Sequence, residues 1–171
     1  VSIIHHPDVR RMLLVQKATL AAQRALYMQA ASAIDLVHGL EDPVVRKQAE
    51  RVLDYLIPIV KAWNTDNGVL LTNLAMQVYG GMGYVEETGV SQYVRDVRIT
   101  PIYEGTNGVQ ALDLIGRKTA ANGGAVPLAL LAEGKEIAQT LAAAAPDLAA
   151  SLLQAIAAAE QSVADIVAQM G

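Results

Sequence analysis

Glu104 is the residue in this chain whose neighbours best suit it to move a proton. It stands in the run Arg95 to Gln110, which reads RDVRITPIYEGTNGVQ. Gly105 directly after it removes side-chain bulk beside the carboxylate. Thr106 can cap a following helix, whose first N–H groups suit an anion or a phosphate. A loop glutamate enclosed in a pocket serves as a general base once burial lifts its pKa from about 4.3. The same residues also read as an ordinary solvated loop.

A second run, Gln77-Val78-Tyr79-Gly80-Gly81-Met82-Gly83-Tyr84, places three glycines in four positions. That allows close backbone approach to a ligand, and it equally describes a helix end with a tight turn. No strand precedes it, so it is not a dinucleotide fingerprint. Arg95, Asp96 and Arg98 either brace the loop that follows them or form an ion-paired helix face. Tyr79, Tyr84, Tyr93 and Tyr103 cluster around these motifs, four of the six tyrosines in the chain. Core packing is the reading expected for them and for Trp63, with packing against a planar cofactor as the alternative for the tyrosines.

Other chemistries are excluded by what the 171 residues lack. There is no cysteine, which rules out thiolate catalysis, disulfides and Cys-ligated metals. His5, His6 and His38 have no ligand spacing, and no metal is expected. A net charge of -4 with no basic stripe argues against nucleic acid. No stretch is apolar for long enough to span a bilayer, and no signal peptide is visible. A cytoplasmic location is the expectation. Hydrophobic residues at 53% against 18% charged supply a sizeable core. The opening on Val1, with helical pattern almost at once, reads as a piece of a longer protein.

The elements that must position these residues are nearly all helical. Leu13, Leu20, Tyr27 and Ile34 recur every seven residues on a first long helix, broadened by Val9, Met12, Leu26, Ala30 and Val37. Pro7 marks its start and Gly39 its end. Asp42-Pro43 opens a second helix as N-cap and N1. Pro58 is expected to kink or break it, and Asn64-Thr65-Asp66-Asn67-Gly68 reads locally as a turn. A further apolar helix carries Leu70, Leu71 and Leu74 to the glycine cluster. A short helix covers Val90 to Ile99, a loop Pro101 to Gly105, and another helix runs to about Lys118. Ala121 to Gly124 is a linker, with helices starting at Pro127 and Pro146. The expected fold is all-α, an up-and-down bundle over 1–120 with appended helices over 121–171.

Taken together, the motifs resemble the acyl-CoA dehydrogenase family, C-terminal helical domain. Its pattern Q-x-x-G-G-x-G-[YF], then R-D-x-[RK]-I, then I-Y-E-G-T-[NS]-x-[IV]-Q is met in order by QVYGGMGY, RDVRI and IYEGTNGVQ. The opening HHPDVRRMLLVQKA and the appended helices look most like the larger bacterial branch that includes 3-methylmercaptopropionyl-CoA dehydrogenases. The resemblance implies an FAD-dependent oxidoreductase that converts an acyl-CoA thioester to the trans-2-enoyl-CoA. It implies Glu104 as proton-abstracting base and Tyr103 and Gly105 beside the substrate. It implies FAD contacts from Thr106, Asn107 and Gly108, and from Gln77, Val78, Tyr79, Gly80 and Gly81 towards the FAD of a neighbouring subunit. A homo-oligomer and an electron-transfer flavoprotein as acceptor follow from the same resemblance. It also implies one helix running through 64–68, and a continuous but distorted helix is expected there.

The family's N-terminal helical domain and middle β-domain have no counterpart in this sequence, nor has the first helix of its bundle. The isolated chain is therefore expected to be inactive, to bind FAD weakly or not at all, and to self-associate through an exposed apolar face. An acyl-CoA oxidase and a non-catalytic helical oligomerisation module remain as alternatives.

Overall fold

The computed structural model describes residues 1–170. Among them are seven α-helices and no strand. Contacts divide the chain into two compact units, Val1–Ala111 and Leu112–Gly171.

In the first unit, α1 (Pro7–Gly39) and α2 (Pro43–Val78) form a long hairpin. Pro7 and Pro43 both sit at the helix start, where the missing N–H has no intrahelical partner to lose. Asp42 caps α2 as expected, its Oδ1 accepting from the N–H groups of Val44 at 2.8 Å and Val45 at 3.4 Å. The two helices are pinned midway by Gln23, whose Nε2 donates to the Asn64 carbonyl at 2.8 Å. Buried Met12, Ala30 and Ala33 of α1 and Ala49, Leu56 and Leu71 of α2 form the core.

Two sequence expectations need correcting here, and one conflict between readings is settled. Pro58 does not break α2: the helix continues past it, and the ring is among the most deeply buried groups in the chain. Burial of an apolar ring offsets the hydrogen bond it cannot donate. The run Asn64 to Gly68 is continuous helix as well, against the local turn signal and in line with the resemblance. Lastly, the apolar stripe of α1 is only partly buried: Met12 and Ala30, which broaden it, lie in the core, and its heptad positions do not. Leu20, Tyr27 and Ile34 are 46%, 46% and 43% exposed, whereas Met12, Ala30 and Ala33 face α2.

After α2 the chain turns through Gly80 into the short α3 (Gly81–Tyr84) and reaches α4 (Val90–Val97). Two glycines allow this turning back. A Cβ on Gly83 would collide with the Met76 carbonyl, and one on Gly68 would lie 3.0 Å from Val97 Cγ2. Small residues at those points let α3 and α4 lie directly on α2. The loop 98–106 then leads to α5 (Asn107–Asp113).

In the second unit, a π-helical turn Leu114–Thr119 and a tight turn Ala121–Gly124 lead into α6 (Ala125–Leu141) and α7 (Pro146–Met170). Thr119 Oγ1 also donates to the Leu114 carbonyl at 2.8 Å, a side-chain bond spanning the same five residues as the π turn. Alanine and glycine let α6 and α7 pack closely: Ala138 and Ala149 are buried, and Gly134 faces Ile156. Lys135 and Glu160 bridge the pair at 2.7 Å.

Candidate functional site

The loop that carries Glu104 is built by successive short-range hydrogen bonds. Ile102 and Tyr103 N–H groups donate back to the Ile99 carbonyl at 2.9 and 3.1 Å, and the Asn107 N–H closes the loop on the Pro101 carbonyl at 3.0 Å. Thr106 caps α5 as its position suggested, with Oγ1 accepting from the Val109 N–H at 3.3 Å.

Between these closures Glu104 has φ 55 and Gly105 φ 81. Glycine takes such values freely, but a left-handed glutamate costs about 1–2 kcal/mol. Something outside the loop must hold it. The Glu104 carbonyl accepts from Gln110 Nε2 at 3.4 Å, and the Gly105 carbonyl accepts from Lys61 Nζ at 2.7 Å.

Lys61 belongs to a polar cluster on α2 that receives the loop. Its Nζ also donates to Asn107 Oδ1 at 2.7 Å. Asn107 Nδ2 donates to Asp66 Oδ1 at 2.7 Å, to Thr65 Oγ1 at 3.0 Å and to the Ala62 carbonyl at 3.2 Å. Positions 61, 62, 65 and 66 share one helix face by the i, i+4 rule.

This cluster also explains the misleading turn signal. Thr65 and Asp66 meet Asn107, Asn64 meets Gln23, and Gly68 makes room for Val97. Asn67 Nδ2 donates to the Trp63 carbonyl one turn back at 2.8 Å. Each turn-forming residue has a use inside a helix.

Tyr103, Glu104, Gly105, Thr106 and Gly108 are exposed, while Asn107 is turned in towards α2. An exposed carboxylate is a weak base, so a base role for Glu104 requires a further surface to dry it. Beside it, Asp66, Arg98, Thr106, Asn107 and Gly108 line a cleft of about 450 Å³.

The second motif lies elsewhere. Gln77 and Val78 end α2, Tyr79 and Gly80 form the turn that follows, and Gly81 opens α3. Gly80 has φ 61, and a Cβ on Gly80 or Gly81 would meet nothing within 4 Å. From Asp66 to Gln77 is eleven residues of helix, roughly 16 Å at 1.5 Å per residue. Within one chain the two motifs are thus separate surfaces.

The room over Gly80 and Gly81 beside exposed Gln77 and, on the other surface, exposed Thr106 at the start of α5 each suit the edge of an anionic nucleotide cofactor. Among the described residues no group of three or more His, Asp or Glu could hold a metal.

Arg95 does not brace the loop. It pairs with Glu86 at 3.2 Å and Gln92 at 2.8 Å, the ion-paired helix face of the alternative reading. Gln92 in turn donates to Asp96 at 2.6 Å. The expectation that the tyrosines are core is also overturned: Tyr79, Tyr84, Tyr93 and Tyr103 are 51–78% exposed, and Trp63 is 38% exposed. Apolar patterning marks rings that need covering, and these are not covered within this chain. The residues that sequence reasoning missed are Lys61, Thr65, Asp66 and Gln110. Thr65 and Asp66 were signalled by a polar run placed where a helix should continue and Gln110 by its place at the end of the loop motif, while Lys61 had no signal.

Comparison with known proteins matches residues 1–119 to the family model for the acyl-CoA dehydrogenase C-terminal domain. The chain is 48% identical over 125 residues to a 3-methylmercaptopropionyl-CoA dehydrogenase of Ruegeria pomeroyi, covering 72% of this chain and 21% of that protein. It is 40% identical over 124 residues to a butyryl-CoA dehydrogenase of Syntrophomonas wolfei, covering 72% and 20%. A broad-specificity linear acyl-CoA dehydrogenase of Mycobacterium tuberculosis is 37% identical over 129 residues, covering 72% and 20%. The chain spans about a fifth of the length of these relatives.

Proposed function

Since the chain belongs to the acyl-CoA dehydrogenase family through its C-terminal domain, we propose that it is the helical C-terminal part of an FAD-dependent acyl-CoA dehydrogenase, with Glu104 as the base that takes the α-proton of an acyl-CoA thioester on the way to the trans-2-enoyl-CoA. The observation that carries this reading is the backbone of Glu104. A glutamate held at φ 55 in a loop fixed from two sides is strain kept at a point where chemistry has a use for it.

A thioester α-proton is weakly acidic. The carboxylate must therefore be dried and the thioester carbonyl polarised. Bound flavin supplies the acceptor for the β-hydride. In this chain Gly105 lets the substrate lie along bare backbone next to the base, and Tyr103 flanks it. Thr106 and Gly108 face the cofactor, with Asn107 supporting them from the α2 side.

Gln77 to Gly81 would serve the FAD of a neighbouring subunit. The separation of the two motifs along α2 supports that assignment and a homo-oligomeric working unit. Exposed Leu20, Tyr27 and Ile34 on α1 are a face that such an assembly, or further segments of the same protein, would cover. No described helix is long and apolar enough to cross a membrane. We take electron-transfer flavoprotein as the electron acceptor, and residues 121–171 as helices appended to the family bundle.

Glu104→Gln in the full-length protein tests the assignment. Turnover with acyl-CoA should fall about 10²–10⁴-fold with flavin content retained. Undiminished turnover would remove Glu104 as the base.

A further inference from the structure

We infer that Lys61 is a positioning residue for Glu104: its ammonium group latches the loop to α2 and so keeps the glutamate in its left-handed conformation. The inference rests on the proposed function for the meaning of Glu104 as base; the latch itself is a matter of geometry.

Two peptide planes follow the Cα of Glu104, and each has its carbonyl held from outside the turn. The first is held by Gln110 at 3.4 Å and the second by Lys61 at 2.7 Å. The Lys61 contact is the shorter and is charge-assisted, so it is the stronger restraint.

Its geometry is also enforced. An ammonium group has donors and no acceptor, and an ionised carboxylate only accepts. With Lys61 on one side and Asp66 on the other, the Asn107 amide has one satisfactory orientation: Oδ1 to Lys61 and Nδ2 to Asp66, both at 2.7 Å. Asn107 is thereby locked, and its N–H in turn closes the loop on Pro101 at 3.0 Å. Lys61 thus meets the loop at Gly105 and Asn107, the residues on either side of Thr106.

If the latch is lost, the loop keeps its internal hydrogen bonds but loses the restraint on the Gly105 carbonyl. Glu104 is then free to relax towards ordinary negative φ, which swings its carboxylate away. Placement of the base is the property affected.

The experiment compares Lys61→Met, Lys61→Arg and Glu104→Gln in the FAD-loaded full-length protein, with amide hydrogen exchange over 104–108 as a readout independent of turnover. For K61M we expect kcat to fall about 10–100-fold with KM and flavin content near wild type, and exchange over 104–108 to quicken about tenfold or more. K61R keeps a cationic donor and should restore kcat to within about threefold.

A K61M enzyme with wild-type kcat overturns the inference. So does a loss that follows flavin content and is not restored by K61R. If K61M yields no holoenzyme, Asn107→Ala removes the other end of the latch and is read by the same criteria. If E104Q keeps full turnover the base assignment falls, and the latch is then judged on exchange alone. Faster exchange in K61M keeps it, and unchanged exchange overturns it whatever E104Q does.

Discussion

Two turns in this chain set consecutive residues at positive φ, and they are held in opposite ways. In the second unit the turn is Asn122, Gly123 and Gly124, at φ 52, 67 and 78. Glycine and asparagine are the residue types that enter this region most readily. Packing then fixes the turn: Gly124 is buried, and a Cβ there would lie 2.8 Å from Val163 Cγ1 and 3.2 Å from Val167 Cγ2. In the first unit the turn is Glu104 and Gly105, at φ 55 and 81. Glutamate has no backbone reason to be there, the turn is exposed, and charged or polar side chains hold it instead of packing. The sequence of 122–124 is explained by the backbone it must form. That of 104 is not, which points to a use for the carboxylate itself.

The comparison can be broken most decisively at Gly124. Gly124→Val adds a branched side chain at φ 78 against Val163, and should destabilise the second unit by about 2–4 kcal/mol, read as a lower midpoint in chemical denaturation. An unchanged midpoint would mean that packing does not define this turn.

A pair of glycine substitutions sharpens the contrast. Glu104→Gly should leave stability unchanged or raise it by up to about 1 kcal/mol, because relief of the left-handed strain outweighs the added freedom of the unfolded chain. Asn122→Gly relieves little, and should stay within about 0.5 kcal/mol of wild type or fall slightly below it. Equal responses would show that Glu104 carries no strain.

The smallest effect concerns the charged group at the entry to the second turn. Arg117, by hydrogen bond, and then Lys118 hold the Asp113 carboxyl below its ordinary value of 3.8; the contacts are 2.8 and 3.1 Å. A lowered folded-state pKa stabilises above the unfolded value, and that contribution is lost as pH falls through the folded one. Asp113→Asn should therefore lower Tm slightly at pH 7, and the difference from wild type should shrink as pH falls below 3.8 and vanish once pH is below the lowered folded-state pKa. A difference that persists there would assign the effect to packing.

Legibility followed the range of the interactions. Asp42-Pro43 was readable because the cap is local, with the carboxylate bonded to N–H groups two and three residues on. Thr106 was readable for the same reason. Pro58 was misread, and the local signal over Asn64 to Gly68 pointed to a turn where the resemblance correctly gave helix, because local rules weigh turn propensity without the tertiary partners that outweigh it. Leu20, Tyr27 and Ile34 in the stripe of α1 and the four motif tyrosines were misread as core because apolar spacing shows that a face wants covering and not what covers it. Lys61 was missed because a lysine on a helix is ordinarily solvated, and its partners lie 44 and 46 residues away.

By itself, then, the sequence determined the helices, their caps and the motif that identifies the family, since each depends on residues within a few positions of one another. Only the tertiary structure decided that α2 runs unbroken, that its polar run is a docking surface, and that Glu104 stands left-handed above it. The reason is physical: a left-handed glutamate is unfavourable in any isolated peptide, so its conformation exists only where contacts from distant parts of the chain over-determine it.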